Sequence, residues 1–393
     1  MEVAAFKIAR KTRQLALGYA SIKDFQLLEA ELIAPDTLCD SPCISLYSLD
    51  FETRRAVFVE TPTGLTLSDA SFYWMVQYQQ AVRVITLPFT DFVLLASQIS
   101  SQISMNPNNL TFIYSVGRAG STLAAKIFSC VSGTEAISEP DALTAIVRAR
   151  YFALVGEQGD DLTTKHLLDA SVRFLCKSTT ATKFIIKGRS QVVEIGDWLH
   201  ELYPQAKKIF LYRNAESWLI SAKSAFTDGE KREAKSQIVL EQNIRTYLEP
   251  VTQLIAAYRD DQHLSMIELL ALTWLSAMDA CLRMCNMDIE ILPIRFVSWQ
   301  SHPEETARRL LAYCGCYPVS SERLLDVLSR DSQANTVLSQ KNIRRREQRL
   351  LPGDVEKLYY HLLRHSTIRS ADFNMPGTLQ HAKSEPFSQG ETP

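Results

Sequence analysis

Three groups of residues in this 393-residue chain carry side chains suited to chemistry. The first is Gly117-Arg118-Ala119-Gly120-Ser121-Thr122. Two glycines let a turn aim several backbone N–H groups at one point, Arg118 adds a permanent positive charge, and Ser121 and Thr122 add neutral donors. A turn of this kind, opening into a helix whose first amides are unpaired, cradles phosphate or sulfate oxygens. The second group is Arg213 with Ser221 eight residues later, a planar cation and a hydroxyl that suit a phosphate. The third joins Lys187, a cation for developing negative charge, to the acids of Ser138-Glu139-Pro140-Asp141, which are candidate proton acceptors. Each group also has a plain structural reading: a βα turn, a helix-start arginine, a snorkelling strand-end lysine and two helix-capping acids.

The elements that must hold these groups are legible around them. Residues 111–115 are uncharged and mostly β-branched or aromatic, as a central strand covered on both faces requires, and the run from Leu123 to Phe128 starts a helix. Further strands are expected at 183–187, 208–212 and 289–296, with helices near 121–131, 162–177, 190–202 and 214–226. Short apolar strands alternating with helices predict an α/β fold with a parallel β-sheet flanked by helices. Lys187 and Arg213 then stand at the carboxyl ends of strands, where open α/β sheets bind ligands. Residues 238–287 read as two long helices broken at Pro250.

Ahead of this domain, residues 1–105 read as an N-terminal α+β extension, with a hairpin in 43–62 and helices over 67–80 and 89–103. The α/β domain is expected over 106–375, after the turn-forming Asn106-Pro107-Asn108-Asn109, and a disordered polar tail over 376–393.

Composition narrows the partners. A net charge of −2 gives no electrostatic basis for bulk nucleic-acid binding. The N-terminus lacks an uninterrupted apolar stretch, and no run of 18 apolar residues follows, so the expectation is a cytoplasmic protein with no membrane partner. Eight cysteines lack zinc-site spacing and are expected as free thiols. The seven histidines fall outside the three groups and are expected at the surface.

The first two groups together resemble the 5′-phosphosulfate loop and the 3′-phosphate motif of the sulfotransferases that use 3′-phosphoadenosine 5′-phosphosulfate (PAPS). The family's loop carries a basic residue before a small residue, Gly and two hydroxyls, as Arg118-Ala119-Gly120-Ser121-Thr122 does. A Walker P-loop would need Gly-Lys-Ser/Thr, which is missing. Residues 292–316 are similar to the family's late strand and helix, although Phe296-Val297-Ser298-Trp299 stands where tyrosine-glutamate-aspartate-leucine is usual. The resemblance spans roughly residues 110–316. It implies a P-loop-like sulfotransferase fold and a nucleotide-binding transferase. That enzyme would move the sulfuryl group of PAPS, without a metal, to a hydroxyl, or less readily an amine, of a small molecule or glycan.

By the same resemblance Gly117, Arg118, Ala119, Gly120, Ser121, Thr122, Arg213 and Ser221 bind the donor, while Arg118 and Lys187 serve the sulfuryl group. Members acting on phenols and steroids usually carry a histidine base two residues after the lysine; Arg189 stands there and stays protonated. That departure implies a carboxylate base, Glu139, with Asp141 in reserve. A basic loop over the 3′-phosphate would draw on Arg344-Arg345-Arg346. The alternatives are a P-loop kinase or NTPase and a noncatalytic nucleotide-binding protein. The residues carry no signal for the acceptor's identity or for oligomeric state.

Overall fold

A computed structural model describes residues 1–13, 18–68, 70–102, 107–154, 161–178, 180–226, 264–316, 319–332 and 349–381. The strands are β1 (Ala4–Lys11), β2 (Phe25–Leu32), β3 (Ile44–Asp50), β4 (Arg55–Glu60), β5 (Arg83–Pro88), β6 (Leu110–Ser115), β7 (Thr134–Ser138), β8 (Lys183–Lys187), β9 (Lys207–Tyr212) and β10 (Leu292–Arg295). They form two five-stranded sheets, in the orders β2-β1-β5-β4-β3 and β10-β9-β6-β8-β7.

The second sheet is parallel throughout and flanked by helices, as expected. All six residues of β6 are buried, which explains its unbroken apolar character. The chain places β7 and β8 on one side of β6, then crosses to build β9 and β10 on the other. The order therefore reverses beside β6, and at such a switch point the loops leaving neighbouring strands splay apart into a crevice. Register brings Ile113 and Ser138 opposite Lys187, and Ser115 opposite Leu211. The three candidate groups thus leave β6, β7 with β8, and β9 at one end of the sheet.

The N-terminal sheet is antiparallel. Its β3–β4 hairpin lies where the 43–62 pattern puts it, but β1, β2 and β5 have no counterpart in the sequence reading. Most of β2 faces solvent, and β1 alternates charged outward residues with irregular register, so neither shows a strong apolar period. The helix expected from 67 begins only at Tyr73 and ends at Gln80, while the next spans Phe89–Gln102.

Both sheets share one core: Phe58 of β4 and Phe92 pack against Phe174 of the helix Asp161–Leu175, with ring centroids 4.9 and 5.1 Å apart. The helix Met266–Asn286 starts at a capping box made by Ser265 and Glu268, while Pro250 and the break expected there lie outside the described residues. Residues 376–381, the start of the expected tail, are among the described residues. Thr378 and Leu379 are buried, and Leu379 N–H donates to Pro293 O at 2.9 Å; residues 382–393 lie outside the described set.

Two further expectations change or pass out of view. His361 is buried rather than exposed, because the helix Pro352–Arg364 turns it toward Glu268, 3.8 Å away. Arg344, Arg345 and Arg346 lie outside the described residues. All eight cysteines are free thiols.

Candidate active site

The loop after β6 has a tightly constrained backbone. Gly117, Arg118 and Gly120 all take positive φ, at 73°, 52° and 85°. For the two glycines this costs little, but Arg118 holds a left-handed conformation that an L side chain normally avoids. Such outliers persist only where their surroundings hold them, and they gather at functional sites. Gly120 has a second constraint, since a Cβ there would come 3.2 Å from the Trp299 ring. Ala119, Ser121 and Thr122 are buried beneath the loop.

The helix Ala215–Phe226 joins this loop to the second group. Trp218 Nε1 donates to the carbonyls of Val116 and Gly117, both at 2.9 Å. Arg118 Nε donates to Ser221 Oγ at 3.3 Å, so residues 103 positions apart meet in one crevice. Arg213 lies alongside. Its Nε donates to Ser217 Oγ at 2.9 Å, its guanidinium sits 4.6 Å from the Phe296 ring centroid, and its carbonyl accepts from Trp274 Nε1.

Both guanidinium groups are half-buried. Burial, then the charge of Arg213, pulls the pKa of Arg118 down to about 10, with Asp331 acting in the opposite direction. Burial also lowers that of Arg213. Both remain charged at neutral pH, so like charges are concentrated in a crevice only partly open to water. An anion entering it would relieve that repulsion.

The third group stands at the ends of β7 and β8. Lys187 is 2% exposed, and its ammonium pairs with the Glu139 carboxylate. Glu139 takes φ 61° and donates its N–H to Lys187 O at 2.6 Å, which aims the side chain off the strand end. Asp141 is placed differently. Its carboxylate is enclosed by Arg189, whose Nε lies 2.6 Å from Oδ1, and by the Ala20 N–H at 2.7 Å. Arg189 also lies 4.6 Å from the Trp74 ring centroid. The two acids have thus separated: Glu139 is partly open, with its side chain 17% exposed, whereas Asp141 binds the N-terminal region to the sheet.

The β8 loop closes the arrangement. Gly188 N–H donates to Ile113 O at 3.1 Å, and a Cβ on Gly117 would lie 3.8 Å from Ser190 Cβ. The sequence reading overlooked four contributors: Trp218, Trp274, Phe296 and Trp299. The last two fall in the segment that departs from the family pattern, and that departure was the available signal. Among the described residues, no group of three or more His, Cys, Asp or Glu could hold a metal.

A parallel sheet whose switch point gathers two arginines, a glycine-rich turn and a Lys–Glu pair defines an α/β protein with positive charge concentrated at the carboxyl ends of its strands. No protein-family model matches the chain, and no curated protein matches it. Among solved structures it is similar to the sulfotransferase domain from the Synechococcus PCC 7002 olefin synthase, at 13% identity and TM-score 0.37, covering 65% of this chain and 95% of that one. It is also similar to the sulfotransferase domain from the curacin biosynthetic pathway, at 15% identity and TM-score 0.38, covering 65% and 97%. A third is the sulfotransferase STF9 from Mycobacterium avium, at 12% identity and TM-score 0.40, covering 84% and 88%. Likenesses this distant assign no reaction. No helix among the described residues is long and apolar enough to cross a membrane.

Proposed function

We propose that this chain is a sulfotransferase that takes its sulfuryl group from PAPS and delivers it to a hydroxyl, or less readily an amine, of a small molecule or glycan. The observation that carries this reading is the convergence of Arg118 and Arg213 in one crevice beside β6. Two half-buried like charges suit a ligand with two separated anionic groups, and an adenosine carrying a 3′-phosphate and a 5′-phosphosulfate is such a ligand.

The residues present fit that donor. The loop from Gly117 to Thr122 suits the 5′ end through Arg118 and the backbone amides, and Arg213 with Ser221 suits the 3′-phosphate. When bound, PAPS supplies an activated sulfuryl group on a phosphate leaving group. Glu139 accepts the proton of the attacking hydroxyl, and Lys187 both orients that carboxylate and offers positive charge to the oxygens that gain it. Asp141 and Arg189 hold the strand ends on which that pair stands.

The test is a titration of the full chain by calorimetry and thermal unfolding. 3′-Phosphoadenosine 5′-phosphate (PAP) should bind and raise the unfolding midpoint without added metal. A response to ATP with magnesium and none to PAP would replace this reading with a kinase or NTPase. PAPS binding with no sulfated product across a broad acceptor panel would make the chain a noncatalytic nucleotide-binding protein.

A further inference from the structure

Among the described residues, the indole N–H of Trp299 is a donor without an acceptor. Trp299 is 5% exposed, and its Nε1 has no hydrogen-bond partner among the described residues. Indole nitrogen can only donate, and a buried tryptophan normally finds a carbonyl or water for it. Two tryptophans around the same crevice do so: Trp218 uses the carbonyls of Val116 and Gly117, and Trp274 that of Arg213. Trp74 Nε1 also lacks a partner, but its ring is engaged by the guanidinium groups of Arg13 and Arg189, at 4.2 and 4.6 Å.

The location of Trp299 gives the orphaned donor a purpose. Its pyrrole edge rests on the glycine loop, since a Cβ on Gly120 would lie 3.2 Å from Cδ1 and 3.5 Å from Nε1. Phe296, one helical turn earlier, meets the same point at 3.6 Å and carries the Arg213 guanidinium against its ring. The short helix Phe296–Ser301 therefore addresses both halves of the crevice, the loop through Trp299 and the arginine through Phe296.

We propose that Trp299 Nε1–H donates to a 5′-phosphate or phosphosulfate oxygen held in the loop after β6, adding an uncharged donor to the backbone amides and Arg118. An anion oxygen in the turn supplies the acceptor that the described residues withhold, and the missing Cβ of Gly120 leaves the indole room to approach. This inference rests on the donor site proposed above. It adds a residue where the family resemblance supplies only an apolar position.

The full chain, labelled with indole ¹⁵N at its five tryptophans, tests it. The indole resonance that disappears in Trp299→Phe should move downfield when PAP is added to the wild-type chain, and stay in place with adenosine 3′-phosphate. By calorimetry, Trp299→Phe should weaken PAP binding roughly tenfold or more, the worth of one hydrogen bond to a charged group, and leave adenosine 3′-phosphate within about twofold. A Trp299 resonance indifferent to PAP, or equal losses for both nucleotides, overturns the proposal. If Trp299→Phe does not fold, substituting the other four tryptophans in turn assigns the resonance, and the wild-type titration decides. If the wild-type chain binds neither nucleotide, the donor-site reading fails separately. Inorganic sulfate then decides for Trp299: a downfield shift supports its role as an anion donor, and no shift removes it.

Discussion

Asp141 and Arg189 form a closed ion pair, with Nε 2.6 Å from Oδ1 and neither side chain more than 3% exposed. This pair occupies the position where the family resemblance led to a search for a base. It encloses Asp141, whereas Glu139 keeps 17% of its side chain exposed, which favours Glu139 for the base role proposed above. Removing one partner strands the other charge in the interior, which typically costs about 3–5 kcal/mol. Asp141→Asn and Arg189→Met should each lower stability by that order in denaturant unfolding. A loss under about 1 kcal/mol would show that the pair is not an anchor.

Glu139→Gln keeps the shape of the side chain and removes its ability to take a proton. Turnover of labelled PAPS over an acceptor panel should fall about 100-fold or more, the usual contribution of a general base. Calorimetric affinity for PAP should stay within about twofold. An unchanged rate would move the base elsewhere.

Arg213→Ala should weaken PAP at least tenfold and leave adenosine 5′-phosphate, which lacks the 3′-phosphate, nearly unaffected. That pattern follows from one charge-assisted contact worth about 1.5–3 kcal/mol. Equal losses for the two nucleotides would withdraw the 3′-phosphate role from Arg213.

Arg118 combines a left-handed backbone with a charge pressed against another cation. Arg118→Asn relieves both, since asparagine tolerates that conformation. Without ligand, the variant should unfold at or above the wild-type midpoint, yet PAP should no longer raise it. A variant less stable than wild type that still responds to PAP would contradict the site's design.

Glu194 is buried, and burial pushes its pKa up to about 7 against the pull of Ser276, at 2.5 Å, and Arg283, at 3.0 Å. Its ordinary value is 4.5, so between the two the folded chain binds a proton that the unfolded chain does not. Stability from this group is therefore present at low pH and lost as pH rises from about 4.5 to about 7. The total is at most about 3 kcal/mol, from the energy equivalent of one pKa unit. Between pH 5 and 8, wild-type stability should fall relative to Glu194→Gln, as measured by urea unfolding at each pH. Parallel curves would show that Glu194 titrates normally.

How much of the site was legible depended on how far each feature reaches along the chain. The loop after β6, the lysine ending β8 and the Arg213–Ser221 spacing are local, and adjacent residue types encode them. β1 and β2 escaped notice because their stability comes from pairing rather than from their own apolar period, and β5 because Val84–Leu87 is a short, fully buried run with no alternation to mark it as a strand. Trp299 could be named as a departure from a pattern, but nothing local to residues 296–299 says that it rests on Gly120.

By itself, the order of residue types determined the parallel strands, the turn chemistry and the list of cations and acids, because backbone preference and hydrophobic period act over a few neighbours. Tertiary structure alone decided which acid is enclosed and which is open, since distant segments bring Glu139 and Asp141 different partners. Those partners are Lys187 for one, Arg189 and Ala20 for the other. Long-range packing likewise brought Arg118 to Ser221 and, among the described residues, left the Trp299 N–H without an acceptor. Burial and charge are properties of a place in space, and no stretch of chain carries them before it folds.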